Sequence, residues 1–132
     1  MNSVIIAGSR GINNYDLIKS AILESGFKID EIVSGLANGP DKLGKRYGLE
    51  NNIPVIEFPA EWNTIDNNEP CKIKTNKFGR PYNVFAGHNR NRKMAEYSNF
   101  LILIWDGKSP GSRNMKNLAK QYGLTIFEKV LE

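Results

Sequence analysis

The chain has 132 residues, of which 40% are hydrophobic and 24% are charged, and its formal net charge is +4. This length fits a single domain over residues 1–132 and is too short for two domains of ordinary size. A domain of this size needs no disulfide or metal to fold, and the single cysteine, Cys71, excludes an internal disulfide. With no leader or membrane-spanning stretch and no metal-ligand spacing in the sequence, we expect a cytoplasmic protein without a membrane or metal partner.

Short apolar runs alternate with segments of helical periodicity along the chain. The predicted strands are Ser3 to Ala7, Glu31 to Val33, Val55 to Phe58, Phe100 to Trp105 and Thr125 to Val130. The predicted helices are Tyr15 to Glu24, Asp41 to Asn51, Asn91 to Tyr97 and Arg113 to Tyr122. In the second helix we expect Leu43, Tyr47 and Leu49 to face inward.

Strict alternation of strands and helices predicts an α/β fold, because parallel strands are joined by right-handed crossover helices that cover both faces of the sheet. The expected architecture is Rossmann-like, with a five-stranded parallel sheet in the order 3-2-1-4-5. In such a sheet, ligands bind at the carboxyl ends of the strands where the strand order reverses. Here that place lies between the first and fourth strands.

A long polar stretch between Pro59 and His88 does not fit a minimal domain of this kind. Connections of this length are usually lids, binding loops or insertions. Its aromatic residues argue against plain disorder, and they are compatible with a homo-oligomer contact. A small hairpin or a partner contact is the simplest structural interpretation.

Three glycine-bearing loops follow predicted strands: Gly8 to Arg10, Ser34 to Gly39, and Asp106 to Ser112. A strand that ends in Gly and Ser before a helix presents backbone N–H groups and the positive end of the helix dipole, and these attract phosphate. Because the carboxyl ends of parallel strands share one edge of the sheet, the loops predict a single anion site, and a nucleotide is the natural ligand.

Individual residues in these loops have two interpretations each. Gly8, Ser9 and Arg10 fit close backbone approach, hydrogen bonding and a guanidinium fork for phosphate, but also an ordinary tight turn. Asp41 is either a helix-stabilising carboxylate or an acceptor for ribose hydroxyls. Trp105 fits base stacking less well than core packing. The only histidine, His88, is expected to make a loop hydrogen bond.

Four ordered blocks of the sequence are also similar to a known family. They are Val4 to Arg10, Ile32 to Gly35 with Gly39-Pro40-Asp41, Arg90-Asn91-x-x-Met94-Ala95, and Trp105 to Ser112. Together they resemble the YpsA-related branch of the SLOG superfamily over all of the chain except Asn63 to Ala86. The resemblance implies a Rossmann-like domain that binds nucleotides or nucleotide-derived ligands, often in bacterial or phage stress or conflict systems.

By position, the resemblance implies a set of ligand-binding residues. They are Gly8, Ser9, Arg10, Gly35, Asp41, Arg90, Asn91, Asp106, Gly107, Ser109, Gly111 and Ser112, to which the loop chemistry adds Ser34 and Gly39. A related branch, the Lonely guy phosphoribohydrolases, uses a glutamate after its glycine-rich loop. The corresponding stretch here, Arg113 to Lys116, contains no carboxylate.

Three functions are therefore open. The first is capture of a small nucleotide, with no further cofactor, by a sensor or sequestering protein. The second is N-glycoside hydrolysis, which needs an acid or base and leaves Asp106 or Glu96 as candidate catalytic residues. The third is single-stranded nucleic-acid binding, since basic residues with interleaved aromatics suit that role. Its residues are Lys72, Lys74, Lys77, Arg80, Arg90, Arg92 and Lys93 beside Phe78, Tyr82 and Phe85.

Overall fold

The computed structural model describes residues 1–60, 73–75, 81–83 and 86–131 of the chain. The first part contains β1 (Ser3–Gly8), α1 (Tyr15–Ser25), β2 (Glu31–Ser34), α2 (Pro40–Glu50) and β3 (Val55–Glu57). Then follow β4 (Ile73–Thr75), β5 (Pro81–Asn83), α3 (Ala86–Tyr97), β6 (Phe100–Trp105), α4 (Pro110–Gln121) and β7 (Thr125–Val130).

Five of the strands form one parallel sheet in the order β3-β2-β1-β6-β7. Ile5 in the central strand β1 lies opposite Val33 of β2 on one side and opposite Leu101 of β6 on the other. This confirms the predicted α/β class and the predicted strand order, with β6 and β7 as the fourth and fifth strands of the sheet. The strands before β6 are added on one side of β1 and the later strands on the other, so the strand order reverses between β1 and β6.

Apolar side chains fill both faces of the sheet, which is usual for parallel sheets with helices on each side. On one face Ile6 and Ile104 pack with Ile18 of α1, and Tyr47 of α2 packs against the same cluster. On the opposite face the core residues come from β1, β2, β6, α3 and α4. They include Ile5, Val33, Met94, Leu103 and Met115. The central strands are therefore held from both sides, and their carboxyl ends are fixed in position.

Helix α2 lies unusually close to the sheet because it carries glycine where it crosses β1. A Cβ atom built on Gly44 would lie 2.8 Å from Ile6 Cβ, well inside normal contact distance. The helix begins at Pro40, one residue before the predicted start, and a proline in the first turn loses no helical hydrogen bond. The close packing of α2 brings its N-terminus against the end of β1.

Three details of the sequence prediction were wrong. Helix α3 begins at Ala86 and not at Asn91. The prediction missed the residues before Asn91 because they have no apolar periodicity that would mark them as helical. Helix α4 begins at Pro110 and not at Arg113, with Ser109 as its N-cap. Leu49 is 66% exposed, so the inward face of α2 ends before it.

Strands β4 and β5 form a separate antiparallel pair, with Ile73 opposite Asn83 and Thr75 opposite Pro81. This backbone pairing confirms the small hairpin expected in the long stretch between Pro59 and His88. The side chains on which the expected oligomer contact depends lie outside the described residues. None of the described helices combines the length and the hydropathy that a membrane-spanning segment needs.

Candidate functional site

A crevice of about 410 Å³ opens at the carboxyl ends of β1 and β6, where the strand order reverses. The loop after β1, the region where α2 begins, helix α3 and the loop leading into α4 supply its walls. Ten residues predicted for the site line it: Gly8, Ser9, Arg10, Asp41, Arg90, Asn91, Asp106, Ser109, Gly111 and Ser112. The fold therefore brings the first and third predicted loops together at one place.

Gly8 allows the floor of this crevice to form. A Cβ atom at this position would overlap the backbone carbonyl of Ile104 and would lie 2.8 Å from the Pro40 ring. Any larger residue would push β6 or the start of α2 away from β1. The glycine is therefore required for the close approach of three chain segments.

Ser9 joins the loop after β1 to the loop after β6. Its backbone N–H donates to the carbonyl of Ile104 at 3.2 Å, and its hydroxyl accepts from the N–H of Asp106 at 3.1 Å. Arg10, the next residue, is exposed at the mouth of the crevice. Ser9 is thus buried and holds the two loops together, whereas Arg10 lies exposed where a ligand would enter the crevice.

Asp41 is a buried carboxylate, only 4% exposed, at the base of the crevice. Burial raises its pKa from 3.8 to about 6, although the Arg90 guanidinium and the backbone N–H groups of Ala37 and Gly8 oppose the increase. Its own N–H donates to the carboxylate as well. These contacts tie the β1 loop to the β2 loop.

Arg90 projects from α3 into the junction between the β2 loop and the crevice. Its Nη1 donates to the carbonyl of Gly35, and its Nε donates to Asn91 Oδ1 at 3.0 Å. Burial lowers its pKa, while Asp41 raises it and the like charge of Arg10 lowers it. A Cβ at Gly35 would clash with Arg90 Nη1 and would lie 2.8 Å from Asp41 Oδ2. Glycine at this position therefore makes room for Arg90.

The N-terminus of α4 forms the opposite wall. Ser109 caps the helix by accepting from the N–H of Ser112 at 3.4 Å, and Asn91 Nδ2 donates to the carbonyl of Gly111 at 3.3 Å. The Ser112 hydroxyl lies inside this wall, only 4% of the residue being exposed. It has no hydrogen-bond partner within the described part of the chain. A buried hydroxyl without a partner at a helix N-terminus is suited to an anion.

Asp106 and Trp105, at the end of β6, both have structural partners. Asp106 Oδ1 accepts from the N–H groups of Lys108 and Ser109 at 2.8 and 2.9 Å, and these bonds lower the pKa of its carboxyl. Trp105 is buried in the core, and its Nε1 donates to Glu128 Oε2 at 2.7 Å. Trp105 therefore packs in the core, as the sequence favoured.

Several predicted residues do not line the crevice. Ser34 is buried and its hydroxyl donates to the backbone carbonyl of Asp41 at 2.8 Å. Gly39 adopts a positive φ of 86°, and a Cβ there would lie 2.6 Å from the carbonyl oxygen of Ser9. Gly107, with a φ of 79°, forms the turn after β6. These three residues shape the loops around the crevice.

Glu96 also lies elsewhere, on the exposed side of α3. It accepts from the Tyr122 hydroxyl at 3.0 Å and lies 3.8 Å from Arg92 Nη1. His88 is in the first turns of α3, not in a loop as predicted, and its ring lies 3.0 Å from Asn114 Nδ2. In the described residues no cluster of His, Cys, Asp and Glu is arranged to hold a metal ion.

A second pocket of about 210 Å³ borders the crevice on the side of the β2 loop. It is lined by Arg10, Gly35, Leu36, Ala37, Pro59, Ala60 and Arg90, of which Arg10, Ala37 and Arg90 also line the crevice. Sequence reasoning did not single out Leu36, Ala37, Pro59 or Ala60, nor Ala7, Gly11, Pro110 and Met115 of the crevice. These residues are small or apolar, and the sequence carries no signal that marks them as ligand-binding.

The fold is similar to that of DNA processing protein A (DprA) from Streptococcus pneumoniae, known from an X-ray structure, with a TM-score of 0.67 and 21% sequence identity. The match covers 97% of this chain and 50% of that chain, so this chain spans about half the length of the solved protein. At this identity the likeness establishes the fold alone. No curated protein matches the sequence.

The family comparison concerns the N-terminal part of the chain. Residues 2–64 match the family model YAcAr, described as the YspA, cpYpsA-related SLOG family. The matched residues include β1 and the β2–α2 loop, which supply one wall of the crevice. The match confirms, for residues 2–64, the resemblance noted in the sequence.

Proposed function

We propose that this protein binds a small nucleotide or nucleotide-derived ligand in the crevice and holds it without chemical change, as a sensor or a sequestering protein. The observation that carries the proposal is the buried Ser112 hydroxyl, which lacks a partner in the described residues and lies in the first turn of α4. A phosphate oxygen would give this hydroxyl its missing hydrogen bond and would face the positive end of the helix dipole.

The other walls of the crevice support a phosphate-bearing ligand. Arg10 stands at the mouth, and Arg90 lies at the inner edge with its charge partly balanced by Asp41. A guanidinium binds phosphate through two parallel N–H donors, which makes arginine well suited to this position. The volume of about 410 Å³ lies within the range of small-molecule sites.

The hydrolase alternative has less support. Glu96 is exposed on α3 and is not among the crevice residues, and one carboxylate oxygen of Asp106 already accepts two backbone hydrogen bonds. These bonds favour the charged form of Asp106 and make it a weak general acid at neutral pH. Asp41 is committed to the N–H groups of two loops. Capture therefore explains the arrangement better than glycosidic cleavage.

Nucleic-acid binding is the remaining alternative, and the name of the DNA processing protein makes it relevant. Phe78, Phe85 and three of the basic residues, Lys72, Lys77 and Arg80, lie outside the described residues, and for Lys74 and Tyr82 only the backbone pairing of β4 with β5 is described. Of the other three basic residues, Arg90 belongs to the crevice and Arg92 lies beside Glu96. Steep loss of oligonucleotide affinity with salt would favour this alternative over nucleotide capture.

The proposal is tested by native mass spectrometry of the purified protein, followed by denaturing extraction and by calorimetric titration with a panel of nucleotides. We expect an intact nucleotide to be recovered or bound at a fixed stoichiometry. Release of free base and ribose phosphate, or failure of every nucleotide to bind, would show that the proposal is wrong.

A matched pair of serine variants assigns the binding to the crevice. Ser112→Ala should weaken nucleotide binding about tenfold or more, because the variant lacks the hydroxyl that donates a charge-assisted hydrogen bond to phosphate. Ser98→Ala is the control, because Ser98 is also buried and its hydroxyl also lacks a partner among the described residues. Ser98 directly precedes β6, so it lies at the amino ends of the strands, whereas the crevice lies at their carboxyl ends. Equal affinity in the two variants would contradict the assignment.

A further inference from the structure

The second pocket continues from the crevice and is not an isolated surface hollow. The two cavities share three lining residues, Arg10, Ala37 and Arg90. Arg90 lies at their junction because Gly35 leaves space for it and accepts its hydrogen bond. A ligand in the crevice would therefore meet the entrance of the second pocket at these two arginines.

The charges of the two cavities differ. Asp41 and Asp106 line the crevice together with the arginines, whereas among the described residues that line the second pocket only Arg10 and Arg90 are charged. The two arginines carry like charges, and the charge of Arg10 lowers the pKa of Arg90. No ion pair to Arg10 is formed within the described residues. Two guanidinium groups at one small pocket, with no carboxylate among its described lining residues, are suited to an anion.

The other described residues that line this pocket are small or apolar. Leu36, Pro59 and Ala60 contribute side chains without charge, and the volume of about 210 Å³ exceeds several times the roughly 30 Å³ that a water molecule occupies in the liquid. A phosphate or carboxylate group fits this space. A second whole nucleoside does not fit it as readily, because the volume is below the range of typical small-molecule sites.

We infer that the ligand carries two separate anionic groups, one held at the N-terminus of α4 by Ser112 and the other held in the second pocket by Arg10 and Arg90. This inference rests on the proposed function and narrows its ligand class to nucleotides with anionic groups at two different positions. A nucleoside 3′,5′-bisphosphate and a 5′-phosphorylated dinucleotide are the simplest members of the class. The two groups are separated because α4 and the β2 loop form opposite sides of the combined cavity.

Calorimetric titration of the full chain tests the inference with matched ligands. The probes are adenosine and guanosine 5′-monophosphates, the 3′,5′-bisphosphates of the same nucleosides, and 5′-phosphorylated dinucleotides. At least one two-anion ligand should bind about tenfold or more tightly than its monophosphate, because it adds a charge-assisted contact with the arginine pair. Arg10→Gln should weaken the two-anion ligands more than the monophosphates and so reduce this advantage.

Arg113→Gln is the control for removal of one positive charge. Arg113 is exposed near the N-terminus of α4. Its Nη2 donates to the carbonyl of Gly107 at 2.9 Å, and it lines neither cavity. We expect it to preserve the preference for two-anion ligands. Ser112→Ala should weaken monophosphates and two-anion ligands by a similar factor.

The outcomes separate this inference from the proposed function. If monophosphates and two-anion ligands bind equally well, the inference is wrong while nucleotide capture stands. If Arg10→Gln weakens every ligand equally, Arg10 serves the same phosphate as Ser112 or contacts the base, and the inference is again wrong. If no nucleotide binds, both proposals are wrong.

Discussion

Replacement of Asp41 by Asn tests the role of the buried carboxylate that links the β1 and β2 loops. Asp41 is almost completely buried, and its pKa rises from 3.8 to about 6 because desolvation outweighs Arg90 and the surrounding N–H donors. Asn has nearly the same shape and keeps one oxygen acceptor, but it never becomes charged. The change therefore removes the titration and leaves most of the packing.

The sign follows from the direction of the shift. Because the folded state has the higher pKa, it binds the proton more tightly than the unfolded state, so ionisation of Asp41 lowers the free energy of unfolding. The stabilising effect of the protonated form is complete below about pH 4 and is lost as the pH rises through 6. A shift from 3.8 to about 6 corresponds to a total of about 3 kcal/mol, of which roughly half is lost between pH 5 and pH 8.

Urea denaturation at several pH values between 5 and 8 measures this difference. We expect the free energy of unfolding of Asp41→Asn to fall less with rising pH than that of the wild type. Any hydrogen bond that the Asn amide fails to make adds a constant offset, which does not change the slope. Asp16→Asn is the control, because Asp16 is a highly exposed carboxylate in an ion pair with Lys19 at 3.4 Å.

The result that would refute this reasoning is a wild-type pH profile parallel to that of Asp41→Asn. Such a result would mean that Arg90 and the N–H groups of Gly8 and Ala37 stabilise the charged form enough to cancel the burial cost. A steeper fall with pH in Asp41→Asn than in the wild type would show the opposite sign. The Asp16→Asn profile must in either case follow that of the wild type.

Two further predictions concern packing. Gly44→Ala should lower the free energy of unfolding by about 1–3 kcal/mol in urea denaturation. The reason is that the added Cβ would lie 2.8 Å from Ile6 Cβ and force α2 away from β1. Unchanged stability would show that α2 shifts without cost. Leu101→Ala should cost about 2–5 kcal/mol in the same assay, because Leu101 is fully buried between helices and sheet. Leu49→Ala, at an exposed position, should change stability by less than about 0.5 kcal/mol, and a similar loss in both leucine variants would contradict the assigned core.

Much of the fold was predictable because buried parallel strands are nearly continuous apolar runs. Phe100–Trp105 and Thr125–Val130 have the predicted bounds, and the alternation with helices led to the observed strand order. The start of α3 was not predictable, because the residues from Ala86 to Arg90 include glycine and polar side chains without apolar periodicity. That segment is helical through its tertiary contacts, with Ala86 and Asn89 buried.

The candidate site was predictable in its place and less so in its details. Topology indicated the edge of the sheet, and glycine-rich loops indicated the segments that meet there. The sequence could not show that Asp41 and Asp106 accept backbone N–H groups, because that depends on which loops come into contact. It also gave no signal for Pro59 and Ala60, which have no distinctive chemistry and reach the second pocket only through the path of the chain.

The contacts between the loops have a consequence for how a ligand would associate. Ser9 accepts from Asp106, Asp41 accepts from Gly8, and Asn91 donates to Gly111. Both partners of each bond belong to the protein, so the protein itself holds the loops against one another and little backbone has to be ordered when a ligand arrives. Each side chain that would otherwise be immobilised on binding costs about 0.5–1.5 kcal/mol. A site that is preorganised in this way can retain a small molecule with few contacts, and its selectivity then depends on the fit of charges to fixed positions.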